Sequence, residues 1–257
     1  MSAILYQPFD SPDVLTFPKS VESADAPILS LFLLLAERIG EKGVKLTATG
    51  NLPRNLCREI AQIHMGEDGY LKYTEYRSIN SETDFYDLHI TRLIASLAKL
   101  TRKYRGKILL TNKTKKLLED ERHGELYMHL FKSYTAEYNW GYWDAFTELQ
   151  IIQMAFAYHI YSWQSMSNET VESYHFVSHL LDAFPMLIDE AMEEKSEYIS
   201  SDPAKYIERC YSIRVLRRFG EFLGLLSLES VEEKERPLTS HYVVKAKPLL
   251  SQVVVFA

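Results

Sequence analysis

The sequence predicts a mainly α-helical protein with small β-hairpins, arranged as two winged-helix-like units that flank a helical bundle. Apolar residues recur at helical spacing along most of the chain, for example at Ile90, Ile94 and Leu97. Each half of the chain also ends in a helical pattern followed by two β-favouring runs, one pair about Gly106 and the other within 225–247. A helix that leads into a β-ribbon in both halves predicts two units of similar design.

The signals in the first half follow the order helix, strand, helix, helix and hairpin, which is that of a winged helix. They are the apolar run 28–40 after Pro27, the β-favouring run 44–47, a helix from Pro53 that stops at Gly66, a helix over about 84–99, and the hairpin about Gly106.

Aromatic residues at spacings of three to four dominate the middle of the chain and predict continuous helix over 117–200, packed as a bundle. Asp202 and Pro203 then begin a long helix. The sequence therefore divides into four segments. They are an extended arm with four prolines at 1–27, a winged-helix-like unit at 28–118, the helical bundle at 119–200, and a long helix with a β-ribbon, the second winged-helix-like unit, at 201–257.

Composition restricts the class of protein. The chain has 257 residues, of which 46% are hydrophobic and 25% charged, with a net charge of -6. These values exclude a disordered, collagen-like or membrane-spanning chain. Because a net acidic protein repels polyanions on average, any binding of nucleic acid requires a local basic patch.

The sequence also predicts a cytoplasmic protein without a membrane anchor. The N-terminus lacks a basic region followed by a cleavage site, and the most apolar run, Ile28–Ala36, is about half the length that spans a bilayer. Cys57 and Cys210 are the only cysteines, and they are too far apart in sequence to predict a zinc cage. A reduced compartment is therefore expected.

Four segments carry a family resemblance: Lys45–Pro53 (KLTATGNLP), the ribbon exit Gly106–Thr114, and the closing runs Leu223–Leu228 and Val243–Leu250. Together they resemble a group of uncharacterised bacterial winged-helix-like proteins, some of which are associated with plasmid open reading frames or with SEC-C zinc motifs. The distinctive part is K-L-T-x-T-G-N-L. The resemblance implies an architecture and no activity. The chain has no SEC-C cysteine-histidine cluster, so no zinc site is implied.

The strongest local signal for binding is the run 99–116, in which eight of 18 residues are basic and none is acidic. A wing with cations at its tip would contact phosphates. The alternative is a solvated strand edge that lysine protects from pairing with other sheets. The candidate residues for nucleic acid are Arg102, Lys103, Arg105 and Lys107.

Two predicted helices are candidates for contact with nucleic-acid bases. The helix at 84–99 is expected to turn Thr91, Ala95 and Ala98 outward, a small-residue face better suited to a helix or homodimer interface than to bases. The C-terminal helix is expected to present Arg214, Arg217 and Arg218 on one face, where they would grip phosphate or guanine. The alternative is pairing with neighbouring acids such as Glu221.

A metal site is a weaker possibility. Glu172, His175, His179 and Asp182 lie on one side of a predicted helix, and two histidines four residues apart with a carboxylate form a possible metal face. The alternative is a solvated polar face. No phosphate-binding loop, dinucleotide fingerprint or nucleophile elbow is present in the sequence.

These observations favour a binding protein without a cofactor and without catalysis. The leading hypothesis is a nucleic-acid-associated or regulatory protein that binds DNA or RNA through the basic wing. The alternative is a protein-interaction or scaffold module that forms a homodimer and binds no nucleic acid.

Overall fold

The computed structural model describes Phe9 and residues 17–166, 170–193, 202–231 and 241–253. These residues are mainly helical and include two three-stranded antiparallel sheets, which confirms the prediction of a mainly α-helical protein with small β-hairpins. The chain divides into two compact units, the first formed by Lys19–Tyr138 and the second containing Asn139–Ala257. This division differs from the sequence-based one at 118 and 200, because the helix after residue 122 packs on the helices that precede it.

The first unit has one small sheet among five helices. Its elements are α1 (Pro27–Ile39), β1 (Val44–Lys45), α2 (Arg54–Thr74), α3 (Tyr86–Leu97), β2 (Thr101–Tyr104), β3 (Lys107–Leu110), α4 (Asn112–Glu119) and α5 (His123–Ala136), with 3₁₀ turns at Ser23–Asp25 and Glu82–Asp84. The strand order is β1-β3-β2. α1, whose apolar face is fully buried, packs against α2, α3 and α5.

Local sequence signals explain where these elements begin and end. Pro27 occupies the first turn of α1, where a missing N–H costs nothing, and Gly40 ends it at a φ of 48°. Gly66 has a φ of 70°, so the helical geometry breaks there as predicted, but a further helical stretch follows at once and α2 extends to Thr74. The Thr111 side chain caps α4 by accepting a hydrogen bond from the Thr114 N–H.

α3 is oriented differently from the sequence-based expectation. Thr91 and Ala95, expected on the outer face, are 0% exposed, whereas Leu97, expected inside, is 36% exposed. The reason is that α3 is covered by both α1 and α5, so that small side chains line its closest contacts. The predicted outward position is therefore wrong for Thr91 and Ala95, whereas Ala98 is partly exposed.

The second unit also has one strand before a group of helices and a pair of strands after it. Its elements are α6 (Gln150–Met154), α7 (Phe156–Ser165), β4 (Val171–Glu172), α8 (Ser173–Ala183), α9 (Met186–Glu193), α10 (Pro203–Tyr211), a π-helical continuation (Ser212–Glu221), β5 (Leu226–Ser230), β6 (Tyr242–Ala246) and α11 (Leu250–Val253). Its strand order, β4-β6-β5, matches that of the first sheet, with the first strand and the hairpin strands in equivalent places.

Two expectations about this part of the chain can be compared with the structure. Asp202 caps α10 by accepting hydrogen bonds from the N–H groups of Ala204 and Lys205, as predicted. The continuous helix over 117–200 is wrong, because an irregular segment at 139–149 interrupts it. Residues 232–240, between the two β-favouring runs of this half, lie outside the described residues. Among the described helices, none combines the length and the apolar character that a bilayer span requires.

One prediction concerns Gly43, between α1 and β1. Its φ is 71°, and an added Cβ would lie 2.7 Å from the Ile108 carbonyl oxygen and 2.3 Å from Leu109 Cδ2. We expect Gly43→Ala to lower the free energy of unfolding by about 3 kcal/mol, combining a left-handed backbone with a steric clash. Gly106→Ala is the control, because its φ of 72° matches that of Gly43 but nothing lies within 4 Å of an added Cβ. Urea unfolding checks this, and equal losses in both variants would contradict it.

A second prediction concerns His159, which is fully buried in the second unit. Its Nε2 donates a hydrogen bond to the Ile152 carbonyl oxygen at 2.8 Å, and its Nδ1 has no hydrogen-bond partner among the described residues. Burial lowers the pKa of His159 from 6.5 to about 4. Below pH 6.5 the unfolded chain therefore binds a proton that the folded chain rejects, so stability present above pH 6.5 is lost as the pH falls to about 4.

Across this pH range, the shifted pKa of His159 should lower the free energy of unfolding by about 3 kcal/mol. Unfolding free energies at pH 7 and pH 4.5 should differ less in His159→Gln than in the wild type, because Gln does not titrate. The exposed His179 provides the control, and His179→Gln should keep the full difference. An unchanged pH dependence in His159→Gln would contradict the assignment.

Candidate functional site

A cationic surface surrounds the β2–β3 hairpin of the first unit. We define the wing surface as Lys45, Arg102, Lys103, Tyr104, Arg105 and Lys107, all of which are exposed. The hairpin turns through Arg105 and Gly106, whose φ values of 46° and 72° suit a tight two-residue turn. This turn places the four cations predicted from the sequence at or near the tip.

The strand register brings like charges together. Lys107 of β3 lies opposite Lys45 of β1 on one side and opposite Tyr104 of β2 on the other. Arg102 shares this outer face, because alternate residues of a strand point the same way. Like charges directly opposite each other destabilise a sheet. A bound anion on this face would relieve the repulsion.

Acidic partners are absent from the wing surface. Among the described residues, no carboxylate lies within 4.0 Å of a cationic group of Lys45, Arg102, Lys103, Arg105 or Lys107. The Lys107 ammonium donates instead to the Lys42 carbonyl oxygen at 3.1 Å. No described carboxylate therefore neutralises the positive charge of this surface.

The distinctive segment of the sequence lies beside the wing. The Thr47 N–H donates to the Asn51 carbonyl oxygen at 2.8 Å, and the Gly50 N–H donates to the Thr47 carbonyl oxygen at 2.9 Å. The Leu46 N–H donates to the Gly106 carbonyl oxygen at 2.9 Å, which joins this turn to the hairpin tip. Sequence reasoning treated the K-L-T-x-T-G-N-L segment as a family mark and missed that its Lys45 belongs to the cationic surface.

A buried carboxylate holds this turn against α3. Glu82 is 0% exposed. Its Oε2 accepts a hydrogen bond from the Leu52 N–H at 2.5 Å, while its Oε1 accepts from His89 Nδ1 at 2.7 Å and from Arg92 Nε at 2.5 Å. One side chain thus joins the end of the 45–52 segment to two residues of α3.

The surroundings keep Glu82 ionised. Burial opposes the charged form, but the hydrogen bond from His89, the positive charge of Arg92 and the Leu52 N–H outweigh it, and the pKa of Glu82 lies below its ordinary value. Arg92 is buried on α3. Its burial depends on Glu82, which precedes it by ten residues outside the helix.

The arginines of the second unit occupy a different environment. Arg214 is 2% exposed and forms two hydrogen bonds with Asp144, at 2.9 Å and 2.8 Å, and Arg218 donates to the same carboxylate at 3.1 Å. The guanidinium groups also donate to backbone carbonyl oxygens of the 139–149 segment. The burial of Arg214 corrects its assignment to nucleic acid, because its guanidinium group holds the 139–149 segment instead. Of the three arginines predicted on this helix, Arg217 alone is exposed.

The histidines considered for metal binding remain on the surface. His175, His179 and Asp182 are exposed on α8, and Glu172 precedes the helix. The His175 ring packs on Tyr174, with ring centroids 4.1 Å apart. Within the described ranges, no three His, Cys, Asp or Glu side chains come close enough to hold a metal ion.

A serine–histidine pair lines a groove between α1 and α2. Ser30 Oγ lies 3.2 Å from His64 Nδ1, and burial lowers the pKa of His64, which keeps the imidazole neutral. A nucleophile of this kind also requires a group that orients the base. Glu37 lines the same groove but pairs with Arg38 at 2.8 Å. The described contacts therefore do not complete a catalytic triad.

The two cysteines are buried, one in each unit. Burial raises the pKa of Cys57 and of Cys210 to about 12. Because the thiolate is the reactive form, both thiols are unreactive near neutral pH and act as core side chains.

The buried Glu82 generates a prediction about stability. We expect Glu82→Gln to destabilise the protein by about 3 to 5 kcal/mol, because it leaves Arg92 buried without a compensating charge. The control is Glu59→Gln, which breaks a more exposed ion pair with Arg38 and should cost at most about 1 kcal/mol. Chemical denaturation of both variants measures the difference, and a Glu82→Gln loss no larger than the Glu59→Gln loss would contradict the assignment.

Comparison with known proteins relates this region to one family. Residues 24–124 match the family model described as the Y4jL N-terminal domain. The matched part includes the wing surface, Glu82 and the whole first sheet. It supports a relation of this part to an uncharacterised family of plasmid-type open reading frames. No curated protein and no solved structure matches the chain.

Proposed function

We propose that the first unit binds nucleic acid through its wing surface, by contact with phosphates. The observation that carries this proposal is the Lys45–Lys107 pair, two cations held in register with no carboxylate within 4.0 Å among the described residues. Such an arrangement costs stability unless an anion is bound. A polyanion fits it well, because Arg102 and Arg105 extend the charge along the hairpin.

The element order supports a winged-helix-like interpretation of this unit. Helix, strand, two helices and a hairpin, with the first strand paired to the last, is the expected pattern, and the second unit shows the same strand order. In this interpretation the hairpin is the wing. We extend the proposal no further for the second unit, because the Asp144 carboxylate already binds Arg214 and Arg218.

The covered helix limits the kind of recognition. α3 takes the place of the recognition helix, yet Thr91 and Ala95 are fully buried beneath its neighbours. Its exposed residues include Asp87, Ser96 and Leu97. A carboxylate and an apolar side chain do not favour base edges. The proposal is therefore phosphate binding without sequence readout by a helix.

The homodimer hypothesis finds less support. It placed the interface at Ala95 and Ala98, but Ala95 is 0% exposed within its own unit and Ala98 is half-buried. A second chain would have to displace α1 or α5 to reach Ala95. We therefore favour the wing surface over a homodimer through α3.

The proposal predicts salt-dependent binding that depends on the wing. A fluorescently labelled 20-nucleotide oligomer, single-stranded and in duplex form, is titrated with protein between 50 and 200 mM salt, and binding is followed by anisotropy. Removing three phosphate contacts with Arg102→Ala, Arg105→Ala and Lys107→Ala combined should lower the slope of log affinity against log salt by about 2 to 3.

A matched triple variant in the second unit serves as the control. Lys205→Ala, Arg209→Ala and Arg217→Ala remove the same charge from exposed positions and should change the slope little. Equal effects of both triple variants would show that only net charge matters. Absence of binding to either oligomer at 50 mM salt would overturn the proposal.

A further inference from the structure

The wing surface carries an aromatic ring among its cations. Tyr104 is 48% exposed at the end of β2, on the same face as Arg102 and Lys107. The guanidinium carbon of Arg102 lies 5.4 Å from the centroid of its ring, and that of Arg105 lies 5.1 Å from it. Two planar cations therefore flank a half-exposed ring.

From this arrangement we infer that the wing surface binds single-stranded nucleic acid in preference to duplex, with an unpaired base stacked on Tyr104. The inference rests on the proposed function and names its ligand more closely. Aromatic rings that alternate with cations are the usual means of holding single strands, because every base presents a flat face and every nucleotide a phosphate. Arginine guanidinium planes stack on bases in the same way.

The rest of the unit favours the single strand as well. Duplex recognition by a winged helix places a helix in the major groove, and here α3 lies under α1 and α5. The bases of a duplex are stacked on each other and do not reach a ring on a hairpin. The bases of a single strand are free to do so.

The hairpin is also built to hold the ring in place. Its two-residue turn is closed by the Tyr104–Lys107 pair, and the Gly106 carbonyl oxygen accepts from the Leu46 N–H. A short turn tied to the neighbouring segment loses little freedom on binding. The ring and the two guanidinium groups therefore form one site.

The test compares Tyr104→Ala with two other variants in the full chain. The probes are a labelled 20-nucleotide single strand of mixed sequence without self-complementarity and the duplex of the same sequence. We expect the wild type to bind the single strand more tightly, and we expect Tyr104→Ala to lower that affinity about tenfold while it changes duplex affinity little. Tyr104→Phe should keep the preference, since it keeps the stacking face.

Tyr76→Ala is the matched control, because Tyr76 is 89% exposed in the same unit but lies outside the wing surface. It should leave both affinities unchanged. If the wild type binds both forms with a salt-dependent affinity that the wing cations control, but Tyr104→Ala does not change the ratio, the stacking inference fails and the proposed function stands. If neither form binds, both fail. A cooperative thermal unfolding transition of Tyr104→Ala, followed by circular dichroism, shows that this variant is folded.

Discussion

The first unit depends on a single buried carboxylate. Glu82 accepts hydrogen bonds from Leu52, His89 and Arg92, and so fixes the end of the 45–52 segment to α3. That segment in turn is bonded to the hairpin tip through Leu46. Because a buried charge without partners is costly, these contacts must form together. The position of the cationic hairpin thus follows from an interaction in the core.

The two units use their cations in opposite ways. In the second unit, Asp144 is bound by Arg214 and Arg218, which use their charge to hold an irregular segment that carries Tyr142 and Trp143 on its surface. In the first unit, the exposed cations of the hairpin lack such a carboxylate among the described residues. In the proposed function, the charge that the described residues leave unneutralised on this hairpin is available to a ligand, although the chain as a whole is acidic.

Local signals in the sequence were sufficient for much of the fold. α1 begins at Pro27 and ends at Gly40, the hairpin turns at Gly106, and Asp202 caps α10. These features were predictable because each of them acts within a few residues. The basic hairpin was predicted for the same reason. Partners distant in sequence were not predictable. The burial of Arg92 depends on Glu82, that of Arg214 depends on a carboxylate 70 residues away, and the face of α3 depends on α5. These contacts cannot be predicted from the spacing of residues along the sequence.

The central claim is that the hairpin of the first unit is the surface that meets nucleic acid. The most direct measurement is a map of backbone amide chemical shifts while a short single-stranded oligonucleotide is added. The account predicts that the largest changes fall at 102–107 and at 45–50, and that the 139–149 segment and Arg217 stay unchanged. Changes confined to the second unit, or no changes at saturating oligonucleotide, would contradict it.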